Sequence, residues 1–447
     1  MPLNSLPFLF FFLLPFFGVY YLAPLRWRNG VLFLGSLVFY AAGIWEMPWQ
    51  GPLLLLLTVL TWYLRVLLSQ GRGGRWLLPM GLTLLFGILF GFKLYSSVLG
   101  GGIPLGMSFY TFQMAAFLVR ASREREKTEK LSLLDYATGI LMFPKFLSGP
   151  LTEPGSLSRQ LHKRRYSAAK FDYGLRTFVM GLGMKVLLAD RIGALWRQVK
   201  ALGFASVSSP LAWLGIVSFG LQLYFDFAGY SQMALGLGQM LGFRLPENFQ
   251  TPYCARSVSE FWRRWHITLG AWFRDYVYIP LGGSRQGKGK TMRNLLIVWL
   301  FTGLWHGFAL HYVCWAMFLF FLIAMEKLWL GKLLERSGPL AHVYVVFAIL
   351  MSWVFFAAPS LRSAVAYFGR LFPFFGTGEK TVVLLRDFWK YLPLLGLGAL
   401  FATPWPRKLW DRMRGSVLDT VVCLLVFWGC VYSLSVSAGD PFMYFAF

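Results

Sequence analysis

The sequence predicts an all-α integral membrane protein, and three observations support this fold class. Hydrophobic residues make up 57% of the 447 residues, charged residues make up only 14%, and the mean hydropathy is +0.56. Soluble domains carry roughly a quarter charged residues, which excludes a soluble enzyme, a disordered chain and a small disulfide scaffold. Continuous apolar runs such as Leu53–Val59 and Phe318–Met325 argue against a membrane β-barrel, whose strands alternate apolar and polar residues.

The formal net charge of +24 predicts contact with anionic lipid headgroups rather than with nucleic acid. The Lys and Arg residues lie in short loops between apolar runs, whereas a nucleic-acid-binding protein would gather them on one soluble face. The sequence therefore predicts the lipid bilayer as a partner and no nucleic acid.

The first five predicted spans place their basic loops on one side of the membrane. The apolar stretch Leu6–Leu22 has no Lys or Arg before it and is interrupted by Pro15, so we expect a retained first span rather than a signal peptide. Basic residues follow the first, third and fifth spans, and they are Arg26, Arg28, Arg72, Arg75 and the cluster from Arg120 to Lys130. Because basic loops face the cytoplasm, the N-terminus is predicted to lie outside it.

Two segments are predicted to lie at the membrane without spanning it. Leu131–Pro150 is apolar but contains Asp135 and Lys145, and basic sequence flanks both of its ends. This pattern predicts a re-entrant segment, whose irregular backbone must be shielded by protein. Ser257–Lys290 mixes basic and aromatic residues, which predicts an amphipathic helix and loop at the cytoplasmic interface.

Seven further spans bring the predicted total to about twelve. They are Phe171–Ile192, Pro210–Leu241, Met292–Trp305, Leu310–Leu330, Leu340–Ala357, Trp389–Ala402 and Ser416–Val436. Basic residues precede the last span and Ser437–Phe447 has none, so the C-terminus is also predicted outside. We expect one polytopic domain over residues 1–447, with N-terminal helices in 1–103, a motif-bearing core in 104–330, and C-terminal helices with an outward-facing tail in 331–447.

The first candidate for a catalytic residue is His306. It lies in Gly303-Leu304-Trp305-His306-Gly307 at the end of an apolar run, where an ionisable side chain is costly and therefore indicates a functional site. An imidazole can take a proton from a hydroxyl near neutral pH, as acyl transfer requires. The alternative is a core histidine bonded to a carbonyl, and composition alone leaves both interpretations open.

Three other ionisable residues lie in apolar or aromatic sequence. For His266, which ends the run Phe261–His266, composition alone favours an interface-anchoring helix. His311 follows His306 by five residues and is expected at the rim of the site, with pairing to His306 as the alternative. Asp226 lies within a predicted span and is expected to pair with an Arg or to orient a His.

No metal site is predicted from the sequence. The cysteines are Cys254, Cys314, Cys423 and Cys430, and they form neither CxxC nor another metal-ligand spacing. The last two are seven residues apart on one predicted helix, so they lie roughly 10 Å apart, too far for a disulfide. The motifs HExxH and GxSxG are absent, so zinc hydrolysis and serine hydrolase chemistry have no support.

Five motifs, taken together, are typical of one family of membrane enzymes. They are Met107-Ser108-Phe109-Tyr110-Thr111-Phe112-Gln113, Tyr224–Tyr230, the run from Pro246 to Gly283, Trp305-His306-Gly307 and Pro441–Phe447. With them, the sequence resembles the membrane-bound O-acyltransferase (MBOAT) superfamily over most of its length. Within it, the sequence is more similar to the bacterial alginate and peptidoglycan O-acetyltransferase membrane subunits than to the D-alanyl transferase of teichoic acids.

The resemblance implies a ring of helices around a thin central tunnel. An acyl thioester, acetyl-CoA or another, would enter as donor substrate from the cytoplasm, and the acyl group would leave outward. His306 would be the catalytic histidine and His266 a second histidine near the tunnel. Arg263, Arg264 and Arg285 are candidates for binding the donor phosphates. No permanently bound cofactor is expected.

The implied function is O-acetylation of a cell-surface or extracellular polysaccharide by a multi-pass enzyme of the cell membrane. An extracytoplasmic SGNH-hydrolase-like partner is expected to complete the transfer to the polysaccharide acceptor. Three alternatives stay open. They are D-alanyl transfer to teichoic acid from a carrier protein, acyl transfer to lipids of the inner leaflet, and transport without chemistry.

The terminal segment Phe442–Phe447 contains a third catalytic candidate. The segment is aromatic and uncharged, and an aromatic belt at the membrane interface is its simplest role. However, it matches a terminal motif of the family, and the chain lacks a Ser or Cys nucleophile motif. We therefore expect Tyr444 to accept the acetyl group with His306 as base and to pass it to the outer partner.

Overall fold

The protein is helical throughout the part of the chain that the structure describes. The computed structural model describes residues 1–125, 130–372, 381–437 and 442, with the side chains of 381–388 left aside. All regular secondary structure in these ranges is helical, and no strand occurs in them. The prediction of an all-α protein is therefore confirmed.

In the described part of the chain, six helices are long and apolar enough to cross a membrane, as expected for a multi-pass membrane protein. They are Gln50–Ser69, Leu77–Leu99, Ser209–Met240, Leu310–Arg336, Pro339–Ala357 and Val417–Val436. Helices also cover other predicted spans, such as Met292–Trp305, but length and apolarity do not select them. The total of about twelve spans, and the sides on which the termini lie, stay predictions.

The chain divides into two compact units whose segments alternate along the sequence. The first unit consists of Met1–Leu182, Gly229–Glu247 and Val431–Ala446, of which the last segment is described at 431–437 and 442. The second unit consists mainly of Gly183–Ala228 and Asn248–Cys430. Helices that begin in one unit and end in the other connect them along the chain.

Within the described ranges, the first unit contains nine helices and the final parts of two others. These nine are α1 (Leu13–Leu22), α2 (Arg28–Gly43), α3 (Gln50–Ser69), α4 (Leu77–Leu99), α5 (Met107–Glu124), α6 (Leu133–Leu141), α7 (Phe143–Phe146), α8 (Pro154–His162) and α9 (Ala168–Gly183). A π-helical segment, Pro7–Phe12, leads into α1. Residues 107–118 of α5 are all buried, because α5 packs against α3, α4, α6 and α8, so α5 is the core helix of this unit.

The second unit contains the remaining helices. They are α10 (Asp190–Leu202), α11 (Ser209–Met240), α12 (Val258–Arg264), α13 (Ile267–Phe273), α14 (Lys288–His306), α15 (Leu310–Met325), α16 (Gly331–Arg336), α17 (Pro339–Ala357), α18 (Leu361–Leu371), α19 (Thr381–Phe401), α20 (Trp405–Met413) and α21 (Val417–Val436). Three π-helical segments, Met184–Ala189, Arg274–Tyr278 and Glu326–Leu330, continue α9, α13 and α15. The part of α11 after Ala228 and the end of α21 belong to the first unit.

Glycines allow α9 and α11 to approach closely within the first unit. A Cβ on Gly236 would lie 2.4 Å from the carbonyl oxygen of Gly174, and a Cβ on Gly181 would lie 2.6 Å from the backbone nitrogen of Met233. Real Cβ atoms do not come this close to backbone atoms. Small residues at such crossings let two helix backbones touch, which is how membrane helices commonly associate.

The segment Leu131–Pro150 is interrupted and shielded, as predicted for it. Helix α6 ends at Leu141, the ψ of 116° at the next residue, Met142, is not helical, and the single-turn helix α7 follows with Pro144 near its start. Residues 136–150 are all buried by surrounding protein. The irregular, protein-covered backbone is confirmed, while the depth of the segment in a membrane stays a prediction.

Asp226 forms a buried ion pair in the second unit, but its partner is a lysine. Its carboxylate lies 2.7 Å from Nζ of Lys185, and the same ammonium lies 2.7 Å from Asp190. The expected ion pair is present, and the cation that the structure shows in it is a lysine instead of an Arg. Lys185 lies on the π-helical segment between α9 and α10, and its long, flexible stem reaches both carboxylates.

Candidate active site

His306 is the last residue of α14 and is held there by close packing of α14 against α15. A Cβ on Gly303 would lie 2.8 Å from Cβ of Ala316, and a Cβ on Gly307 would lie 2.9 Å from the ring of Tyr312. A larger residue at either position would push the end of α14 away from α15. The two glycines around His306 therefore fix where its imidazole lies.

Aromatic rings surround the His306 imidazole, which is only 7% exposed. The ring centroids of Trp305, Phe356 and Trp315 lie 4.4, 5.0 and 5.1 Å from that of His306. Phe356 and Trp315 meet the imidazole nearly perpendicular to it. Such an apolar wall excludes water, which strengthens the hydrogen bonds and charge interactions that the imidazole makes with a substrate.

Helix α12, which leads to His266, is fixed at its N-terminus by a buried carboxylate. Glu326 accepts hydrogen bonds from the backbone N–H groups of Val258 and Ser259, at 2.5 and 2.9 Å, and from the Ser259 hydroxyl at 2.7 Å. The Ser257 side chain also caps the helix by accepting from the backbone N–H of Glu260. A negative charge at a helix N-terminus complements its free N–H groups and its dipole. The position of α12 therefore depends on Glu326.

His266 lies at the sharp turn between α12 and α13. Its φ of +44° and ψ of 52° are in the left-handed region, which is costly for a side chain of this size. The imidazole is 3% exposed and meets the Phe227 ring edge-on, with centroids 4.7 Å apart. Strained backbone of this kind clusters at functional sites, and here it directs the His266 side chain toward the protein interior.

An amide oxygen sets the tautomer of His266. Oδ1 of Asn248 accepts from the backbone N–H of Thr268 at 3.3 Å and from its hydroxyl at 2.6 Å, so this atom is an acceptor. Nδ1 of His266 lies 3.4 Å from the same oxygen and must therefore donate to it. Nε2 then carries the lone pair. Burial lowers the pKa of His266 to about 3, so the ring is neutral at ordinary pH.

The structure places both histidines at the edge of one aromatic cluster within the second unit. Trp262 of α12, four residues before His266, packs against Trp315, with centroids 5.7 Å apart, and Trp315 in turn packs against His306. Among the described residues, the buried indole N–H groups of Trp262 and Trp315 have no hydrogen-bond partner. The cluster therefore combines two imidazoles with two buried indole N–H groups.

The candidate donor-binding arginines lie next to this cluster in sequence. Arg263 and Arg264 end α12, where Arg263 is exposed and Arg264 pairs with Glu260. Arg285 is exposed in the loop that precedes α14. Nothing in their geometry tests phosphate binding, which stays a prediction. Among the described residues, no three His, Cys, Asp or Glu side chains come together as a metal site.

Two other predictions for the site have different outcomes. His311 is buried, with Nδ1 donating to the carbonyl oxygen of Phe355 at 3.0 Å, so the expected rim position was wrong. Helix α15 packs against α17, and the hydrogen bond to Phe355 of α17 turns His311 toward that helix. Tyr444 lies outside the described residues. Its neighbour Phe442 is described, is buried and packs edge-on against Tyr230, with centroids 5.1 Å apart.

Two residues that position the site were not recognised from the sequence. Asn248 belongs to the motif from Pro246 to Gly283, but nothing in this motif indicated that the Asn248 amide orients His266. Glu326 carried a signal, because it is a lone carboxylate directly after the apolar run Phe318–Met325. An acid in such a place needs donors, and those donors are the N-terminus of α12.

Comparisons with known proteins agree with these features. The MBOAT, membrane-bound O-acyltransferase family, matches residues 39–365. The chain is 33% identical to the probable alginate O-acetylase AlgI of Pseudomonas putida over an alignment of 499 positions that covers the whole of both chains. It is 31% identical to the peptidoglycan O-acetyltransferase of Helicobacter pylori, covering 59% of this chain and 55% of that protein. It is 28% identical to the teichoic acid D-alanyltransferase of Bacillus subtilis, covering 48% and 56%.

The family match covers both histidines and most of the chain. It includes the end of α14 with His306, the turn at His266 and five of the six helices that are able to cross a membrane. The similarity to the Pseudomonas putida protein extends from one end of the chain to the other. This multi-pass membrane protein is an acyltransferase and belongs to the membrane-bound O-acyltransferase family.

Proposed function

We propose that this protein takes an acetyl group from a cytoplasmic thioester, acetyl-CoA, and moves it across the cell membrane for O-acetylation of a cell-surface or extracellular polysaccharide. The observation that carries the proposal is the similarity over both full lengths to a probable alginate O-acetylase. The partial similarity to a peptidoglycan O-acetyltransferase supports a polysaccharide acceptor as well. The buried His306 within its aromatic walls supplies the base that such a transfer requires.

His306 acts as the general base in this mechanism. Its imidazole takes the proton of an acceptor hydroxyl while the hydroxyl oxygen attacks the thioester carbonyl carbon. The tetrahedral intermediate collapses, the carbon–sulfur bond breaks, and the imidazolium returns the proton to the leaving thiolate. The products are an acetyl ester and free CoA thiol. The apolar surroundings of His306 support this role by keeping competing water away from the thioester.

The indole N–H groups of Trp262 and Trp315 stabilise the oxyanion that forms during the attack. Both are buried, and neither has a hydrogen-bond partner among the described residues. Buried donors without partners are uncommon in folded proteins, because an unmade hydrogen bond is costly. A carbonyl oxygen that gains negative charge would satisfy them in the transition state, where preorganised donors are most effective.

His266 and the nearby arginines handle the donor. With Nδ1 donating to Asn248, His266 offers the Nε2 lone pair as an acceptor, which suits a hydroxyl or amide N–H of the donor. Arg263 and Arg285 are exposed and can pair with phosphate oxygens, and Arg264 can do so after leaving Glu260. His266 thus positions the thioester of the donor, and the arginines bind the phosphate groups of the donor.

Tyr444 is proposed as the relay for the acetyl group. Its phenolate oxygen, deprotonated by His306, attacks the thioester, and the resulting phenyl ester passes the acetyl group to an SGNH-hydrolase-like partner outside the membrane. A phenolic ester suits a relay because phenolate leaves more readily than an alkoxide. The proposal includes a helical ring around a tunnel, with both termini outside the cytoplasm. The basic loops support that topology.

The similarity to a teichoic acid D-alanyltransferase favours a second candidate, D-alanyl transfer from a carrier protein. The two functions differ in the thioester that is consumed. In neutral-lipid nanodiscs, the purified protein should release free CoA thiol from acetyl-CoA and should leave a D-alanyl carrier protein intact. His162→Ala, an exposed residue at the end of α8, serves as the control variant and should behave as the wild type. Consumption of the D-alanyl carrier protein and not of acetyl-CoA would contradict the proposal.

A further inference from the structure

The connection between α1 and α2 places arginines beside exposed apolar side chains in the first unit. Leu22 is 88% exposed and Trp27 is 62% exposed, and Leu25 between them is exposed as well. Arg26 is exposed, whereas Arg28 is half-buried. Outward-facing apolar side chains of a membrane protein contact lipid chains, and tryptophan is typical of the membrane interface. This pattern is typical of the boundary between lipid chains and their headgroups.

Three tyrosine rings hold the Arg28 guanidinium in place. Its Cζ lies 4.3 Å from the ring centroid of Tyr166, and 5.4 and 5.2 Å from those of Tyr20 and Tyr21. A guanidinium over aromatic rings is attracted by their π-electrons. Tyr166 lies in the connection between α8 and α9, so Arg28 joins two connections that are far apart in the sequence.

Hydrogen bonds fix these rings independently of the arginine. The Tyr20 hydroxyl donates to the carbonyl oxygen of Leu241 at 3.0 Å, so the Tyr166 hydroxyl, 2.9 Å away, must donate to Tyr20. The Tyr21 hydroxyl donates to the carbonyl oxygen of Met240. Because the hydroxyl protons are all used within the protein, the tyrosines offer their rings to the guanidinium. The cradle of rings is therefore already formed without a ligand.

Arg28 keeps hydrogen-bond donors that its contacts within the protein do not use. Nε donates to the carbonyl oxygen of Ala23 and Nη2 donates to that of Tyr21, each at 3.3 Å. A guanidinium has five N–H groups, so three remain. Among the described residues, Nη1 has no hydrogen-bond partner, and no carboxylate pairs with Arg28. Nη1 is not buried, so an acceptor outside the protein can reach it.

The two connections that meet at Arg28 are basic and contain no acid. Beside the two arginines of the first connection, Lys163 and Arg165 are exposed in the second one. No Asp or Glu occurs in residues 1–45 or in residues 154–171. We call these four residues the basic patch, and they are Arg26, Arg28, Lys163 and Arg165.

One carboxylate approaches the first connection from α6 without pairing with the basic patch. Oδ1 of Asp135 accepts from Nδ2 of Asn29 at 2.6 Å, and its Oδ2 accepts from the Ser132 hydroxyl at 2.7 Å. Asn29 directly follows Arg28, so this acid weakens the positive potential nearby. A single acid does not balance four bases, and the patch stays cationic.

We propose that the basic patch binds the phosphate group of an anionic phospholipid. The phosphate oxygens accept from the remaining N–H groups of Arg28, and the other three bases attract the negative charge of the headgroup. The lipid chains cover Leu22 and Leu25. Free phosphate has no chains for these apolar side chains, so a phospholipid fits the surface better. The loop charges predict headgroup contact for every basic loop, whereas the cradle of tyrosine rings selects this one.

Lipid binding is measured by native mass spectrometry of the full-length protein in detergent. Phosphatidylglycerol is the anionic probe and phosphatidylcholine the neutral one. The wild type should retain one phosphatidylglycerol at collision energies that remove phosphatidylcholine. Arg28→Gln removes the charge and should weaken phosphatidylglycerol binding about tenfold. Arg28→Lys keeps the charge but loses the fork of N–H groups, so it should weaken binding less.

A matched control separates this site from general attraction by basic loops. Arg72→Gln removes an exposed arginine from the connection between α3 and α4, which is predicted to face the same side of the membrane, and should bind phosphatidylglycerol as the wild type does. The double variant Lys163→Gln/Arg165→Gln leaves the contacts of Arg28 intact. It should still weaken binding severalfold, which keeps the test valid if Arg28→Gln unfolds.

Three results would overturn the assignment. They are equal retention of the two lipids by the wild type, equal loss of phosphatidylglycerol in Arg28→Gln and Arg72→Gln, and displacement of phosphatidylglycerol by equimolar inorganic phosphate. Lipid binding requires no acetyl transfer, so this inference and the proposed function are tested separately.

Discussion

At the scale of single residues, the fold gives two histidines different roles. His306 is placed by the helix end and by the aromatic rings that surround it. His266 is placed by a strained turn and by a hydrogen bond to Asn248, which sets its tautomer. The first arrangement suits a base that exchanges a proton with substrate, and the second suits a neutral acceptor with a fixed direction.

Replacing Asn248 with aspartate should change the protonation of His266. A carboxylate within hydrogen-bond distance of Nδ1 favours the imidazolium and should raise the pKa of His266 from about 3 by roughly 1–3 units. Lowering the pH from 8 to 5 should then reduce acetyl transfer more in Asn248→Asp than in the wild type, because more of His266 gains a proton and loses the Nε2 lone pair.

Histidine ¹⁵N NMR of the labelled protein should show that protonation directly. Asn248→Ala, which adds no charge, should shift the tautomer balance without moving the pKa upward to the same extent. If His266 in Asn248→Asp titrates as it does in the wild type, Nδ1 of His266 does not donate a hydrogen bond to the side chain at position 248.

Arg263 is expected to act on donor affinity. Because it is exposed and lies three residues before His266, Arg263→Ala should raise the KM for acetyl-CoA by roughly fivefold, as expected for one lost exposed phosphate contact, with a smaller change in kcat. Steady-state kinetics in nanodiscs measure both constants. Arg336→Ala, at the end of α16, is the matched exposed control. A loss confined to kcat would remove Arg263 from donor binding.

At the scale of elements, the helices were predictable and the contacts between them were not. Apolar runs of sufficient length gave α3, α4, α15 and α17, because length and hydropathy are local properties. Glu326 caps a helix whose first residue is 68 positions away, and no local pattern indicates such a pairing. The sequence indicated that Asp226 needs a partner. Because several types of cation can pair with a carboxylate, the sequence did not identify Lys185 as that partner.

The cap on α12 should be measurable through its removal. Glu326→Gln replaces two charged acceptor oxygens by one neutral acceptor, so the folded protein should lose about 1–3 kcal/mol of stability and α12 should fray first. Hydrogen exchange over residues 258–264 and thermal unfolding in nanodiscs report on these two effects. Glu335→Gln, which changes an exposed acid on α16, should alter neither. Unchanged exchange in α12 would show that Glu326 does not hold it.

At the scale of the whole molecule, the sequence predicted the membrane class and the family resemblance, and the comparisons confirmed the family. The membrane class and the family resemblance both depend on local properties of the sequence, such as composition and short motifs. His306 is covered by rings from α15 and α17, and His266 is covered by Phe227 of α11, and these groups meet only in the folded chain. The sides of the membrane on which the loops and the tail lie are inferred from the charges of the loops, so they stay predictions.

The role of Tyr444 concerns the whole assembly, because the tail is proposed to hand the acetyl group to a separate partner. Tyr444→Phe keeps the aromatic ring but removes the nucleophilic oxygen, so polysaccharide acetylation should stop while membrane levels and partner binding remain normal. Acetylated polymer is measured in cells, and partner binding by co-purification. Phe442→Leu, which keeps an apolar side chain in the same tail, is the comparison variant. Normal acetylation by Tyr444→Phe would make direct transfer from thioester to acceptor the better mechanism.

The central claim is that the His306 imidazole is the base for acetyl transfer, and one measurement tests it most directly. Cells carrying His306→Ala or the control His162→Ala are compared at matched membrane levels, and ester-linked acetate on the polysaccharide is quantified. Removing a general base costs roughly 10²–10⁴-fold in rate, so His306→Ala should reduce acetylation to background while His162→Ala matches the wild type. Near-normal acetylation by His306→Ala would contradict the account.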